Sequence, residues 1–136
     1  MKHPEAGKPV SLTIDVQVRY NECDPQGVAH HASYPIWLEI SRTDLLRAQG
    51  MAYKDLEAQG ILFVVARMNL RYQRPARYDD VLSIDVTLEP SGGVKLVHGY
   101  VIRRGDEVVA TAETTLACID QAGKLRPVPK GLLGED

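Results

Sequence analysis

Cysteine is scarce in this chain: Cys23 and Cys118 are the only two in 136 residues. They stand too far apart for a CxxC redox or zinc pattern. Tryptophan and phenylalanine occur once each. No uninterrupted apolar run approaches the roughly 20 residues of a membrane helix. The start, Met1–Val10, is polar, holds two prolines and has no apolar signal core. Charge of one sign is missing as well: 16 Lys+Arg against 18 Asp+Glu leave a formal net charge of -2. That argues against nucleic-acid binding driven by bulk charge and leaves only a local basic patch open, so no nucleic-acid partner is expected. GxGxxG, P-loop and GxSxG patterns are absent, so dinucleotide, nucleoside-triphosphate and serine-hydrolase chemistry lack their usual marks. What is present, 44% hydrophobic and 25% charged residues over the length of one domain, is a globular balance. The expectation is a single domain over 1–136, with about 1–10 and 131–136 as flexible ends. It is expected to be cytoplasmic and reduced, with no integral membrane segment.

Periodicity supplies the elements. From Ser11 to Tyr20 apolar Leu12, Ile14, Val16, Val18 and Tyr20 alternate with polar residues, the mark of a strand wet on one face. Asn21–Gly27 interrupts it as a tight loop. Between about His31 and Gln49 the period becomes helical: Tyr34, Trp37, Leu38, Leu45 and Ala48 share a stripe with the small Ser41. Pro35 suits the first turn of that helix and Gly50 the position past its end. A shorter helix is expected over Tyr53–Gln59. Then Phe63–Gln73, Val81–Glu89, Val94–Arg103 and Glu107–Ile119 read as strands, the last three joined by short turns as antiparallel hairpins. One strand, one long helix and four strands make an α+β plan. One helix cannot cover both faces of such a sheet, and its edges need partners, so the chain is expected to be an oligomer.

The residues suited to chemistry lie between the first strand and the long helix. Asp24-Pro25-Gln26-Gly27 has the composition of a type I turn. Its position just before a helix puts a carboxylate near free N–H groups and the positive end of the helix dipole, a setting suited to acyl transfer. His30 and His31 follow. Adjacent histidines diverge and seldom share a metal ion, and His3 and His98 have no ligand spacing, so no metal site is expected. A local helix-start hydrogen bond is one reading of the pair; an imidazole that orients a substrate carbonyl or water is the other. Cys23 beside these histidines suggests a Cys–His nucleophile, but no third, orienting residue accompanies it. Glu39 is either a solvated helix carboxylate or a base facing a second chain. Arg71, Arg74 and Arg77, with Lys124, Arg126 and Lys130, are exposed strand residues or anchors for an anion.

The run from Tyr20 to Tyr34 (Tyr-Asn-Glu-Cys-Asp-Pro-Gln-Gly-Val-Ala-His-His-Ala-Ser-Tyr) resembles the signature of the hotdog-fold acyl-CoA thioesterases. It is most similar to the 4-hydroxybenzoyl-CoA thioesterase type, in the Tol-Pal-associated bacterial branch. Glu39–Thr43, Leu45–Arg47, Val64–Met68 and Tyr72–Val81 extend the likeness, which covers about Ile14 to Gly131. The resemblance implies a hotdog fold, one long helix wrapped by an antiparallel five- to six-stranded sheet, assembled as a homodimer or homotetramer. It implies that Asp24 is catalytic and that the backbone N–H of His31 binds the thioester oxygen, with His31 itself also counted as catalytic. It implies hydrolysis of an acyl-CoA with no cofactor, and Lys124 and Arg126 as residues that bind CoA. An acyl carrier protein as the acyl donor, or an acyl-CoA-binding module without catalysis, are the alternatives. The pattern departs at its first acidic position, usually Asp and here Glu22.

Overall fold

The computed structural model describes residues 9–132. Strand β1 (Ser11–Gln17) leads through a short 3-10 turn (Tyr20–Glu22) and a loop into helix α1 (Ser33–Ala48) and the short helix α2 (Tyr53–Ala58). Strands β2 (Leu62–Tyr72), β3 (Val81–Glu89), β4 (Lys95–Arg104) and β5 (Glu107–Ile119) follow. All pairings are antiparallel, in one five-stranded sheet of order β1-β3-β4-β5-β2. Helix α1 lies over β1 and β3. Among the described residues no helix is long and apolar enough to cross a membrane.

Alternation decides which face is buried. On β3, Leu82, Ile84, Val86 and Leu88 all point into the core, where Leu96, Tyr100 and Ile102 of β4 meet them. Helix α1 contributes Tyr34, Trp37, Leu38, Ser41, Leu45 and Leu46 to the same core. The helix ends as its sequence requires. Gly50 takes φ +85, a backbone state that costs glycine little, while Gly50 N donates to Arg47 O and Met51 N to Leu46 O.

Three expectations are revised. β1 stops at Gln17 rather than Tyr20, because the Glu22 side chain accepts the Arg19 N–H at 2.8 Å and folds the chain into the 3-10 turn. Tyr20, expected inside, is 80% exposed and rests edge-on against Tyr78. On α1, Ala48, expected on the buried stripe, is exposed, while Arg42 is only 7% exposed. Residues 1–8 and 133–136, most of the two segments expected to be loose, lie outside the described residues. Within those segments, Val10 O accepts the Leu88 N–H, and Leu132 is buried with its carbonyl toward Gln49.

Strand β2 stands apart from the other strands. It forms one edge of the sheet, and Val64, Val65, Met68 and Tyr72 on it are exposed. The register slips between Val65 and Arg67, a bulge that breaks the in-out alternation of a regular strand.

Candidate active site

The Asp24 loop is a small folded unit. Gly27 N donates to Asp24 O at 3.0 Å, closing the turn, and Gly27 sits at φ +80. Asp24 N donates to Val28 O, and Cys23 bridges Ala29, so the loop returns antiparallel to itself. The Asp24 carboxylate is held by one oxygen: Oδ1 accepts Gln26 N–H at 2.9 Å and Val28 N–H at 3.2 Å. Among the described residues Oδ2 has no hydrogen-bond partner, which leaves one oxygen of a fixed carboxylate available for chemistry.

The loop then docks on the segment before β3. Ala29 N donates to Ala76 O, Tyr78 N to Gly27 O, and Val28 bridges Arg77. That segment is itself pinned. Arg104 Nη1 donates to Asp80 Oδ2 at 2.7 Å and to Pro75 O at 3.0 Å, and the Tyr34 hydroxyl accepts Ala76 N–H at 3.3 Å. Hydrogen bonds to Asp80 and Glu107 raise the Arg104 pKa further, so this anchor stays cationic. Sequence reasoning missed Arg104, Asp80 and Tyr34 as supports. Arg104 and Asp80 lie far from Asp24 in the chain, and no local pattern marks them.

At the helix start, Ser33 N donates to His30 O, and His30 Nδ1 accepts the Ala32 N–H at 3.1 Å. The His31 N–H has no hydrogen-bond partner among the described residues. His31 O accepts the Tyr72 hydroxyl at 3.1 Å, and the His31 ring is exposed and stacked on His30 at 4.3 Å. A cleft of about 320 Å³ opens here, lined by Val28, His31, Tyr34, Tyr72 and Arg74 among others. Asp24 and His31 thus lie on one connection between β1 and α1: a carboxylate oxygen and an amide N–H, neither with a hydrogen-bond partner among the described residues, with His31 and not Asp24 lining the cleft.

Cys23 is a poor rival. Burial, then the carboxylates of Asp24, Glu22 and Asp80, push its thiol pKa up, and Sγ donates to Arg19 O at 3.5 Å. A thiol kept protonated is a weak nucleophile. Glu39 is exposed and pairs loosely with Arg42 at 3.8 Å. Arg74 contacts Glu107 at 3.5 Å, and the Arg71 and Arg77 side chains are exposed. Lys124 and Arg126 follow β5 in a turn organised by Asp120, where Arg126 N donates to Cys118 O. That turn adjoins the Leu62 end of β2, whereas the Asp24 loop adjoins the Tyr72 end. The 11 residues of β2 separate them by about 33 Å. Within one chain these basic residues do not join the site.

Comparison with known proteins agrees with this architecture. Residues 18–135 match the family model of the thioesterase-like superfamily. The acyl-CoA thioester hydrolase YbgC of Escherichia coli O6:H1 is 34% identical over 122 residues, 88% of this chain and 91% of that protein. The long-chain acyl-CoA thioesterase FadM of E. coli K12 is 34% identical over 111 residues, 80% and 83% of the two chains. Among solved structures, the DHNA-CoA thioesterase of Staphylococcus aureus superposes with a TM-score of 0.81 at 29% identity, covering 87% of this chain and 79% of that one. With a long helix laid on a five-stranded antiparallel sheet and a carboxylate loop at the helix start, the chain belongs to the thioesterase-like superfamily and has its hotdog fold.

Proposed function

We infer that the chain hydrolyses the thioester of an acyl-CoA to the free acid and CoA, with Asp24 and His31 at the reacting carbonyl. The observation that carries this reading is the Asp24 carboxylate, tied down through Oδ1, on the same β1–α1 connection as the His31 N–H, with neither Oδ2 nor that N–H partnered among the described residues. Asp24 Oδ2 either attacks the carbonyl or takes a proton from water that attacks it. The tetrahedral oxyanion accepts the His31 N–H at the positive end of α1. On the general-base route, collapse breaks the C–S bond and expels CoA thiolate, which takes up the proton held by Asp24. On the nucleophilic route, collapse expels the thiolate and leaves an acyl–Asp24 anhydride; water then cleaves it to the acid and the free carboxylate, and the proton goes to the thiolate. The exposed His31 imidazole, on the same loop, orients the incoming water or the carbonyl. No step calls for a metal ion or an organic cofactor.

The active unit is a homodimer, paired through β2. The exposed apolar side chains of this edge strand favour that pairing, because an unpaired edge is a template for a second strand. Two copies of β2 running antiparallel about a two-fold axis bring the Leu62 end of one beside the Tyr72 end of the other. Lys124 and Arg126 of the second copy then approach the Asp24 loop of the first, where they meet the phosphates of CoA. A homotetramer is a pair of such dimers. The work site is cytoplasmic, where acyl-CoA is found.

Release of free thiol from a panel of acyl-CoA esters, followed with a thiol-reactive dye, tests the function. Turnover of acyl-CoA is expected. Tight binding without thiol release identifies a binding module instead, and turnover only of the acyl carrier protein ester identifies that carrier as the donor.

A further inference from the structure

Glu22 gathers four hydrogen bonds at the point where the loop meets the helix. Its carboxylate takes one donor on each oxygen: Arg19 N–H on Oε1 at 2.8 Å and the Trp37 indole N–H on Oε2 at 2.9 Å. Its backbone carbonyl takes two more, the His30 N–H at 2.7 Å and the Ser33 hydroxyl at 2.9 Å. Trp37 is buried in the second turn of α1, and Ser33 is buried at its start. One residue therefore joins the exit of β1, the return of the Asp24 loop and the first two turns of the helix.

The geometry of a peptide unit shows what this controls. In a trans peptide the C=O and the following N–H point in opposite directions. The His30–His31 peptide has its C=O turned into the helix start, accepting Ser33 N–H at 2.9 Å, so its N–H, that of His31, points the other way. Glu22 holds both ends of this arrangement, through His30 N–H on one side and Ser33 Oγ on the other. The carboxylate fixes Glu22 in turn, against Trp37 in a helix too well packed to follow the loop.

We propose that Glu22 is a positioning residue for thioester hydrolysis: bound to Trp37, it sets the direction of the His31 N–H relative to Asp24. The proposal rests on the assignment of Asp24 and His31 made above. A carboxylate is required because both partners are N–H donors. A glutamine there turns its own NH2 toward one of them, donor against donor. The turn then rotates and the oxyanion donor tilts away from the developing charge.

Trp37 is the only tryptophan, so intrinsic fluorescence reports on the bond itself. Glu22→Gln is expected to shift the Trp37 emission and to lower kcat roughly tenfold, with KM within about twofold. Misaligned oxyanion donors act on the transition state, not on ground-state binding. The assay runs far below the melting temperature, so a residue that only stabilised the fold would leave kcat of the folded enzyme unchanged. If Glu22→Gln does not fold, Trp37→Phe removes the same bond from the helix side and is expected to lower kcat several-fold. Parent kcat in the folded variant, or an unmoved emission spectrum, overturns the proposal. Asp24→Asn measured in parallel separates the two readings. An inactive Asp24→Asn beside a fully active Glu22→Gln refutes only the positioning role, whereas an active Asp24→Asn refutes the site assignment on which it rests.

Discussion

Asp24 and His98 illustrate two fates of a polar side chain in this fold. Asp24 sits in a loop that supplies its own amide donors, a local arrangement that the Asp-Pro-x-Gly composition announces. His98 sits in the middle of β4, 4% exposed, with Nδ1 buried and without a hydrogen-bond partner among the described residues. Tyr100, Thr114 and Arg42 surround it with a buried polar group: the Tyr100 and Thr114 hydroxyls lie 2.6 Å apart, and Arg42 Nη1 reaches Tyr100 at 3.5 Å. Nothing in the local alternation distinguishes this from an ordinary core, because the partners come from a helix and a neighbouring strand. Burial, then the nearby Arg42 charge, bring His98 from the usual 6.5 down to about 4. Its folded pKa lies below its unfolded one, so the unfolded chain binds the extra proton between pH 6.5 and 4. Stability is complete above that window and is lost as the pH falls through it. From pH 7 to pH 5 the parent should lose about 2 kcal/mol more in urea unfolding than His98→Leu, the value expected for one histidine shifted this far. Equal losses in the two proteins would show that His98 is not the group responsible.

At the scale of elements, most of the architecture was legible in the sequence because the two periods are clean. β3 and β5 fall at the bounds that alternation and turn residues set, and the long helix begins and ends within two residues of its signals. Alternation failed where a local side-chain bond or an irregular edge overrides it: at Arg19–Tyr20, folded back by Glu22 three residues on, and in β2, where a bulge and an edge position leave most of the strand wet. The candidate site was legible as a loop, but its supports were not. The bonds from Arg104 to Asp80 and from Tyr34 to Ala76 span 24 and 42 positions. The Lys124–Arg126 turn poses the same problem one level up, since its proposed relation to the site runs through a second copy. Changing both residues to Ala should raise KM for acyl-CoA several-fold at low salt with kcat nearly unchanged, as expected when uniform binding to phosphates is lost. An unchanged KM would remove these two residues from the CoA site.

For the whole molecule, the proposed assembly rests on the exposed apolar edge strand β2. Charges on its exposed apolar positions, as in Val64→Lys with Met68→Lys, should convert a dimer into a monomer by light scattering and take most of the activity with it. A parent protein that is monomeric at micromolar concentration and fully active would contradict the shared site. The central claim, however, is the chemistry of one oxygen, and a single substitution addresses it. Asp24→Asn preserves Oδ1 and its two amide donors, so the loop should keep its shape and the melting temperature should stay near the parent's. It replaces the free Oδ2 with an amide nitrogen that can neither attack nor take a proton. The measurement is kcat for thiol release from an acyl-CoA by folded Asp24→Asn, with Cys23→Ala as the control. The account predicts a loss of about a hundredfold or more for Asp24→Asn, the scale of a missing positioned base, and near-parent turnover for Cys23→Ala. A folded Asp24→Asn that turns over at the parent rate while Cys23→Ala is inactive would contradict it.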